Sequence, residues 1–133
     1  MYLLDSCTMS DFMKGEVTTV KKLKSLSPSL IYISTITQVE IKYGLLRKFD
    51  NSHKYFKLFE DFLKAVTLLP LDSAAANCSA EIMMELNRKG TPIGGYDILI
   101  GGTALASGLT LVTSNVKEFK RINNLNIENW RTV

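Results

Sequence analysis

The chain has 133 residues, with 16 Lys plus Arg against 13 Asp plus Glu, one His and two Cys. That length suits a single domain, residues 1–133, able to bury about two-thirds of the surface its unfolded form exposes. An apolar fraction of 46% with 22% charged residues excludes a disordered or fibrous polymer, and Cys7 and Cys78 are too few for a disulfide scaffold and predict a reducing, cytoplasmic setting.

Met1–Asp5 predicts a short buried strand, and Asp5 interrupts the apolar start before a signal-peptide core can form. Two helices follow, Thr8 to about Lys14 and Val17–Lys24, with Gly15 between them and Pro28 beyond. Leu30–Ser34 is branched and aromatic enough for a second strand. Thr37 to about Lys48 predicts a helix with Val39, Ile41, Tyr43, Leu45 and Leu46 on one apolar face. Ser52 to about Ala65 predicts the next, built on Tyr55, Phe56, Phe59, Phe62 and Leu63. Val66–Leu69 is a third strand, Ser73–Lys89 the longest helix, and Gly95–Ser107 a further helix ended by Gly108. Leu109–Thr113 forms a fourth strand, Val116 to about Lys120 a short helix, and Leu125–Glu128 an edge strand.

The run Ile98–Val116 carries no charge, but its Gly, Ser, Thr and Asn residues fit a buried helix, a glycine turn and a strand better than a membrane span. Strands alternating with helices predict an α/β fold, a three-layer α/β/α sandwich around a central parallel sheet.

In an open parallel sheet, ligands collect beyond the carboxyl ends of the strands. Asp5 ends the first strand, Glu40 falls in the first turn of the helix after the second, and Asp97 opens the helix before the fourth. Asn115 and Glu118 follow the fourth strand directly. Each has a structural explanation taken singly. Asp5 suits an N-cap, Thr37-Gln38-Val39-Glu40 a capping box, Asp97 a helix dipole and Glu118 a solvated helix face.

Gathered together, carboxylates repel and must protonate or recruit a cation. Hard oxygens suit Mg²⁺ or Mn²⁺, whereas Zn²⁺ prefers His and Cys. The set therefore predicts metal-assisted phosphodiester hydrolysis. Setting three of the 13 acids aside leaves 10 against 16 bases, a mildly basic surround that suits a polyanion. No G-x-x-x-x-G-K-[ST] loop or G-x-G-x-x-G fingerprint follows the first strand. Gly94-Gly95 and Gly101-Gly102 predict close packing, His53 has no acid beside it, Cys7 lacks a His to activate it, and Cys78 suits the core.

Several segments together resemble one family. They are Tyr2-Leu3-Leu4-Asp5-Ser6, Thr37-Gln38-Val39-Glu40 with Tyr43-Gly44, and Pro92-Ile93-Gly94-Gly95-Tyr96-Asp97-Ile98-Leu99-Ile100. Leu111-Val112-Thr113-Ser114-Asn115-Val116-Lys117-Glu118-Phe119 and Ile127-Glu128-Asn129-Trp130 complete the set. Across essentially the whole chain, the sequence resembles the PIN-domain ribonucleases, in particular the VapC-type toxins of toxin–antitoxin pairs.

The resemblance implies a Mg²⁺- or Mn²⁺-dependent endoribonuclease that cuts transfer or ribosomal RNA and halts translation. It further implies a homodimer and a VapB-like antitoxin seated in the active-site groove. Carried over by position, Asp5, Glu40 and Asp97 would be metal ligands, with the fourth member of the site drawn from Thr113–Glu118. Glu118 would add a ligand, and Ser6 and Asn115 would position water or phosphate. Two departures stand out. Asp5-Ser6-Cys7 replaces the family's common Asp-Thr-Asn, and Asn115, with only a neutral oxygen to offer, stands where many members place an Asp.

Arg47, Lys48, Lys117, Lys120 and Arg121 are candidates to steer RNA, and Trp130 suits the core. The competing expectation is a catalytically weak α/β binding module that keeps its acids for capping and acts through a protein partner.

Overall fold

Alternation of side chains along short strands sets the layers. The computed structural model describes residues 1–48 and 52–131. Five strands, β1 (Tyr2–Leu4), β2 (Ile31–Ser34), β3 (Thr67–Leu69), β4 (Thr110–Val112) and β5 (Ile127–Glu128), form one sheet in the order β3-β2-β1-β4-β5. Every pairing is parallel. Leu3, Tyr32 and Leu111 face one side, and Leu4, Ile31, Ile33 and Val112 face the other.

The first side is covered by α5 (Ser73–Lys89) and α6 (Gly95–Ala106), which bring Ile82, Leu86, Ile98 and Ala104 onto the sheet. The second is covered by α1 (Ser6–Lys14), α2 (Val17–Lys24), α3 (Thr35–Leu46) and α4 (Ser52–Ala65), through Met9, Leu23, Ile41, Leu45 and Phe59. This is the predicted three-layer α/β/α arrangement. Short α7 (Val116–Phe119) follows β4 and buries Phe119. Trp130 is buried as expected, edge-on to Tyr2 at 5.4 Å between ring centroids.

Helix α3 departs from the expectation in two ways. It begins at Thr35, because the Ser34 hydroxyl accepts the Thr37 backbone N–H at 3.0 Å and so closes the helix start. Thr37–Glu40 is therefore not a capping box, and Glu40 lies in the second turn rather than the first. Nor do its apolar residues share a face. Ile41 and Leu45 are buried with Thr37, whereas Val39, Tyr43 and Leu46 are exposed.

The uncharged run divides as predicted into α6, a turn at Gly108 (φ +64°) and β4. Among the described residues no helix is long and apolar enough to cross a membrane. Close packing explains only one of the two glycine pairs. A Cβ on Gly102 would lie 2.0 Å from Ser79 Oγ and 2.9 Å from Ser79 N of α5. Gly94 instead caps α6, and a Cβ on Gly95 would meet open space. Cys78 is half-buried on α5 rather than part of the core.

Candidate active site

The chain lays β2 and β3 on one side of β1, then crosses to lay β4 and β5 on the other. The crevice between the carboxyl ends of β1 and β4 is thus the point where strand order reverses, the usual ligand position in such sheets. Asp5 stands at that point. Its backbone N–H bonds Val112 O at 3.1 Å, and its Oδ1 accepts the Thr8 N–H at 2.9 Å. The Thr8 hydroxyl donates to Val112 O at 2.9 Å, which ties α1 to the end of β4. Asp5 therefore is the N-cap of α1 and, at the same time, a carboxylate buried to 3% exposure. Burial raises its pKa, against hydrogen bonds from Thr113 and Thr8 that favour the charged form.

Glu40 enters from α3, which packs on both α1 and α6. Freed from any capping duty, it has an Oε1 that is buried without a hydrogen-bond partner. Burial raises this carboxyl too; the Ser6 hydroxyl opposes the rise and Asp5 adds to it. Asp97 lies in the first turn of α6, as predicted, where the helix dipole favours an anion. Burial, then the charges of Glu40, Asp5 and Glu118, push it up to about 6.

Glu118 is not on a solvated face. The Asn115 side chain donates to its Oε2 at 3.0 Å, while the Asn115 backbone N–H is held by Thr113 Oγ1 at 2.9 Å. Ser6, Asp5, Glu40, Asp97, Asn115 and Glu118, all anticipated, come together around this crevice. Cys7 lies exposed at its rim. Partial burial of the sulfur and the charges of Asp5, Asp97, Asp11 and Glu40 push its thiol up to about 11, which leaves it protonated and unreactive.

Two contributors, Thr8 and Asp11, escaped the sequence reading. Thr8 orients Asp5 together with Thr113, which opens the Thr113–Glu118 segment expected to supply the fourth member of the site. Asp11 is paired through both oxygens to Arg131, at 2.6 Å and 3.0 Å, an ion pair from the far end of the chain that no local motif announces. Of the candidate RNA-steering cations, Arg121 is engaged elsewhere and donates to Pro92 O at 3.0 Å.

The donor set suits a hard divalent cation. It is all oxygen, densely anionic, and includes a buried carboxylate oxygen with no partner of its own. Among the described residues no three acidic, His or Cys side chains already close into a metal cage. Mg²⁺ needs no such cage, since it keeps several waters and commonly takes one or two carboxylates.

A family model described as PIN domain matches residues 2–125. The chain belongs to the PIN-domain family. Several proteins named VapC are similar to it. It is 35% identical over 129 residues to the tRNA(fMet)-specific endonuclease VapC of Salmonella typhimurium, spanning 97% of each chain. It is 39% identical over 100 residues to Ribonuclease VapC2 of Rickettsia felis, spanning 75% of this chain and 74% of the relative. Among solved structures, VapBC2 from Rickettsia felis bound to a promoter DNA fragment superposes with a TM-score of 0.89 at 32% identity, over 97% of this chain and 98% of the other. DNA-bound VapBC from Salmonella typhimurium gives the same TM-score at 35% identity over 97% of both.

Proposed function

We propose that this PIN-domain protein is a VapC-like endoribonuclease toxin that hydrolyses RNA phosphodiester bonds in the cytoplasm with Mg²⁺ or Mn²⁺, and that transfer RNA is its first substrate class to test. The observation that carries the reading is the convergence of Asp5, Glu40, Asp97 and Glu118 at the strand-order switch, with the Glu40 Oε1 left without a partner. Acids kept only for capping would spend their oxygens on backbone N–H groups, as Asp5 does once and Glu40 not at all. That weighs against the binding-module alternative.

Asp5, Glu40, Asp97 and Glu118 would hold the cation. Once bound, it would lower the pKa of a water and stabilise charge on a phosphoryl oxygen. Asn115 keeps Glu118 turned inward, and Ser6 steadies Glu40. Thr8 and Thr113 fix Asp5 and favour its ionised form.

A VapB-like antitoxin and a second copy of the chain are the proposed protein partners. The similar structures are named as VapBC complexes, and exposed Val39, Tyr43 and Leu46 offer an apolar stripe on α3 for packing against another chain. The test is cleavage of total bacterial RNA by purified, antitoxin-free protein with Mg²⁺, Mn²⁺ or EDTA, beside Asp97→Asn. Discrete fragments that vanish with EDTA and with the substitution are expected. Intact RNA under every metal, from well-folded protein, would sink the reading.

A further inference from the structure

A groove of about 540 Å³ leads away from the acidic crevice between α1 and α3. Ser6, Ser10 and Lys14 line it on α1 at four-residue intervals, and Glu40 and Gly44 line it on α3, with Lys48 four residues further on, just past the end of that helix. Residues four apart share a helix face, so each helix presents one continuous wall. Both walls run from the acid end to a basic end, where Lys14, Arg47 and Lys48 gather. At 1.5 Å rise per residue, Lys14 lies about 12 Å along α1 from Ser6.

Gly44 is the unexpected member. Glycine in a helix interior is less favourable than alanine by about 1 kcal/mol. Here packing gives no reason for it, because a Cβ at Gly44 would meet nothing within 4 Å and its φ lies outside the left-handed region. What the missing side chain preserves is open space in the groove wall. Charge is arranged to match. Asp11, the other carboxylate lining the groove, is neutralised by its two hydrogen bonds to Arg131. Arg47 is laid over the Tyr43 ring, 5.0 Å from its centroid. An anionic strand could thus pass from one end to the other without meeting a bare negative charge beyond Glu40.

We infer that the α1–α3 groove holds the RNA backbone beside the scissile bond, with Lys14, Arg47 and Lys48 binding a phosphate distant from the cutting site and Gly44 allowing close approach to α3. The inference rests on the nuclease reading above and extends it to substrate positioning. These are positioning residues, since none touches the acidic crevice.

The test combines cleavage kinetics with binding of a labelled single-stranded RNA oligonucleotide in the Asp97→Asn background. Lys14→Gln, Arg47→Gln and Lys48→Gln together are expected to raise KM about tenfold with little change in kcat. They should also flatten the dependence of log Kd on log salt by about 0.7 for each phosphate no longer neutralised. Lys14→Arg with Lys48→Arg should keep both values, as should Lys89→Gln on the opposite side of the sheet. Gly44→Gln should hold or raise Tm while raising KM, a combination no purely structural role would give.

Wild-type cleavage with KM and salt slope unmoved by these variants overturns the inference. So does failure to bind a co-expressed antitoxin without change in RNA binding, which would give the groove to the protein partner. If wild-type protein cleaves no RNA yet binds the oligonucleotide through these residues, the groove stands and the nuclease reading falls. Neither cleavage nor binding overturns both.

Discussion

Asp5 accepts the Thr8 backbone N–H at 2.9 Å while sharing the crevice with Glu40 and Asp97. One side chain therefore starts a helix and supplies charge to the site. Asparagine can do the first and not the second. Asp5→Asn is expected to abolish RNA cleavage while leaving Tm unchanged or higher. Asp5→Ala should also lose the cap, about 1 kcal/mol of stability. Parallel thermal melts and cleavage assays separate the two roles, and an Asp5→Asn protein that cannot fold would leave capping as the only one.

Asp97 gives the site a pH signature. Raised from 3.8 to about 6, it holds its proton more tightly folded than unfolded. Its contribution to stability is thus complete below pH 3.8 and lost as the pH rises through about 6. Asp5 and Glu40 are shifted in the same direction. With EDTA present, Tm should fall across that window, and Asp97→Asn should flatten the fall. Mg²⁺ or Mn²⁺ should restore Tm above about pH 6 and have little effect below it, where protons occupy the same oxygens. Melts with and without metal at several pH values decide this; a profile indifferent to Asp97→Asn would refute it.

The Asn115–Glu118 hydrogen bond predicts a positioning defect. Asn115→Ala should leave the fold intact and lower activity by about 10–100-fold, as loss of a ligand's orienting partner commonly does. Asn115→Asp removes the donor and adds a charge, so metal-free protein should melt lower and reach full activity at a lower Mn²⁺ concentration. Activity titrated against Mn²⁺ for both variants is the check, and equal curves for wild type and Asn115→Asp would count against it.

A control lies on α2. Glu16 accepts from the backbone N–H groups of Thr18 and Thr19 at 3.3 Å and 2.9 Å and from both hydroxyls at 2.7 Å. The Thr19 and Thr18 hydrogen bonds hold its carboxyl down at about 2. Its stabilising effect is full above pH 4.5 and disappears as the pH falls toward 2. Glu16→Gln should lower Tm at neutral pH, lose that difference in acid, and leave cleavage per folded molecule unchanged.

Packing gives a sharper stability test. Gly102→Ala sets a methyl group 2.0 Å from Ser79 Oγ, 2.9 Å from Ser79 N and 3.0 Å from Ala75 O, so two helices must separate. The expected loss is about 1–3 kcal/mol by denaturant titration. Gly101→Ala meets mainly the flexible end of Ile122 and should be milder.

The order of helices and strands was legible because the strands are short apolar runs and Gly15, Gly90 and Gly108 mark the ends of three helices. Asp5, Asp97 and Asn115 were legible for a related reason, since each sits beside a strand end or helix start. Glu40 was expected in the first turn of α3, with a capping box as its structural alternative, and lies instead in the second turn with no capping role. Thr37 imitates a cap in sequence, while Ser34, three residues earlier, occupies the cap in space. The face of α3 was misjudged because α1 and α4 claim Ile41 and Leu45 while leaving Val39 and Tyr43 outside. Such tertiary packing, like the Asp11–Arg131 pair, joins residues too far apart for periodicity to reveal.

The central position of β1 has a temporal consequence. Its neighbour β4 and the Asn115–Glu118 pair come more than a hundred residues later along the chain. During synthesis, Asp5 and Glu40 are made well before the β4 that closes the crevice, and before Glu118. A growing chain therefore holds no finished acidic crevice until more than a hundred residues beyond Asp5 have been added.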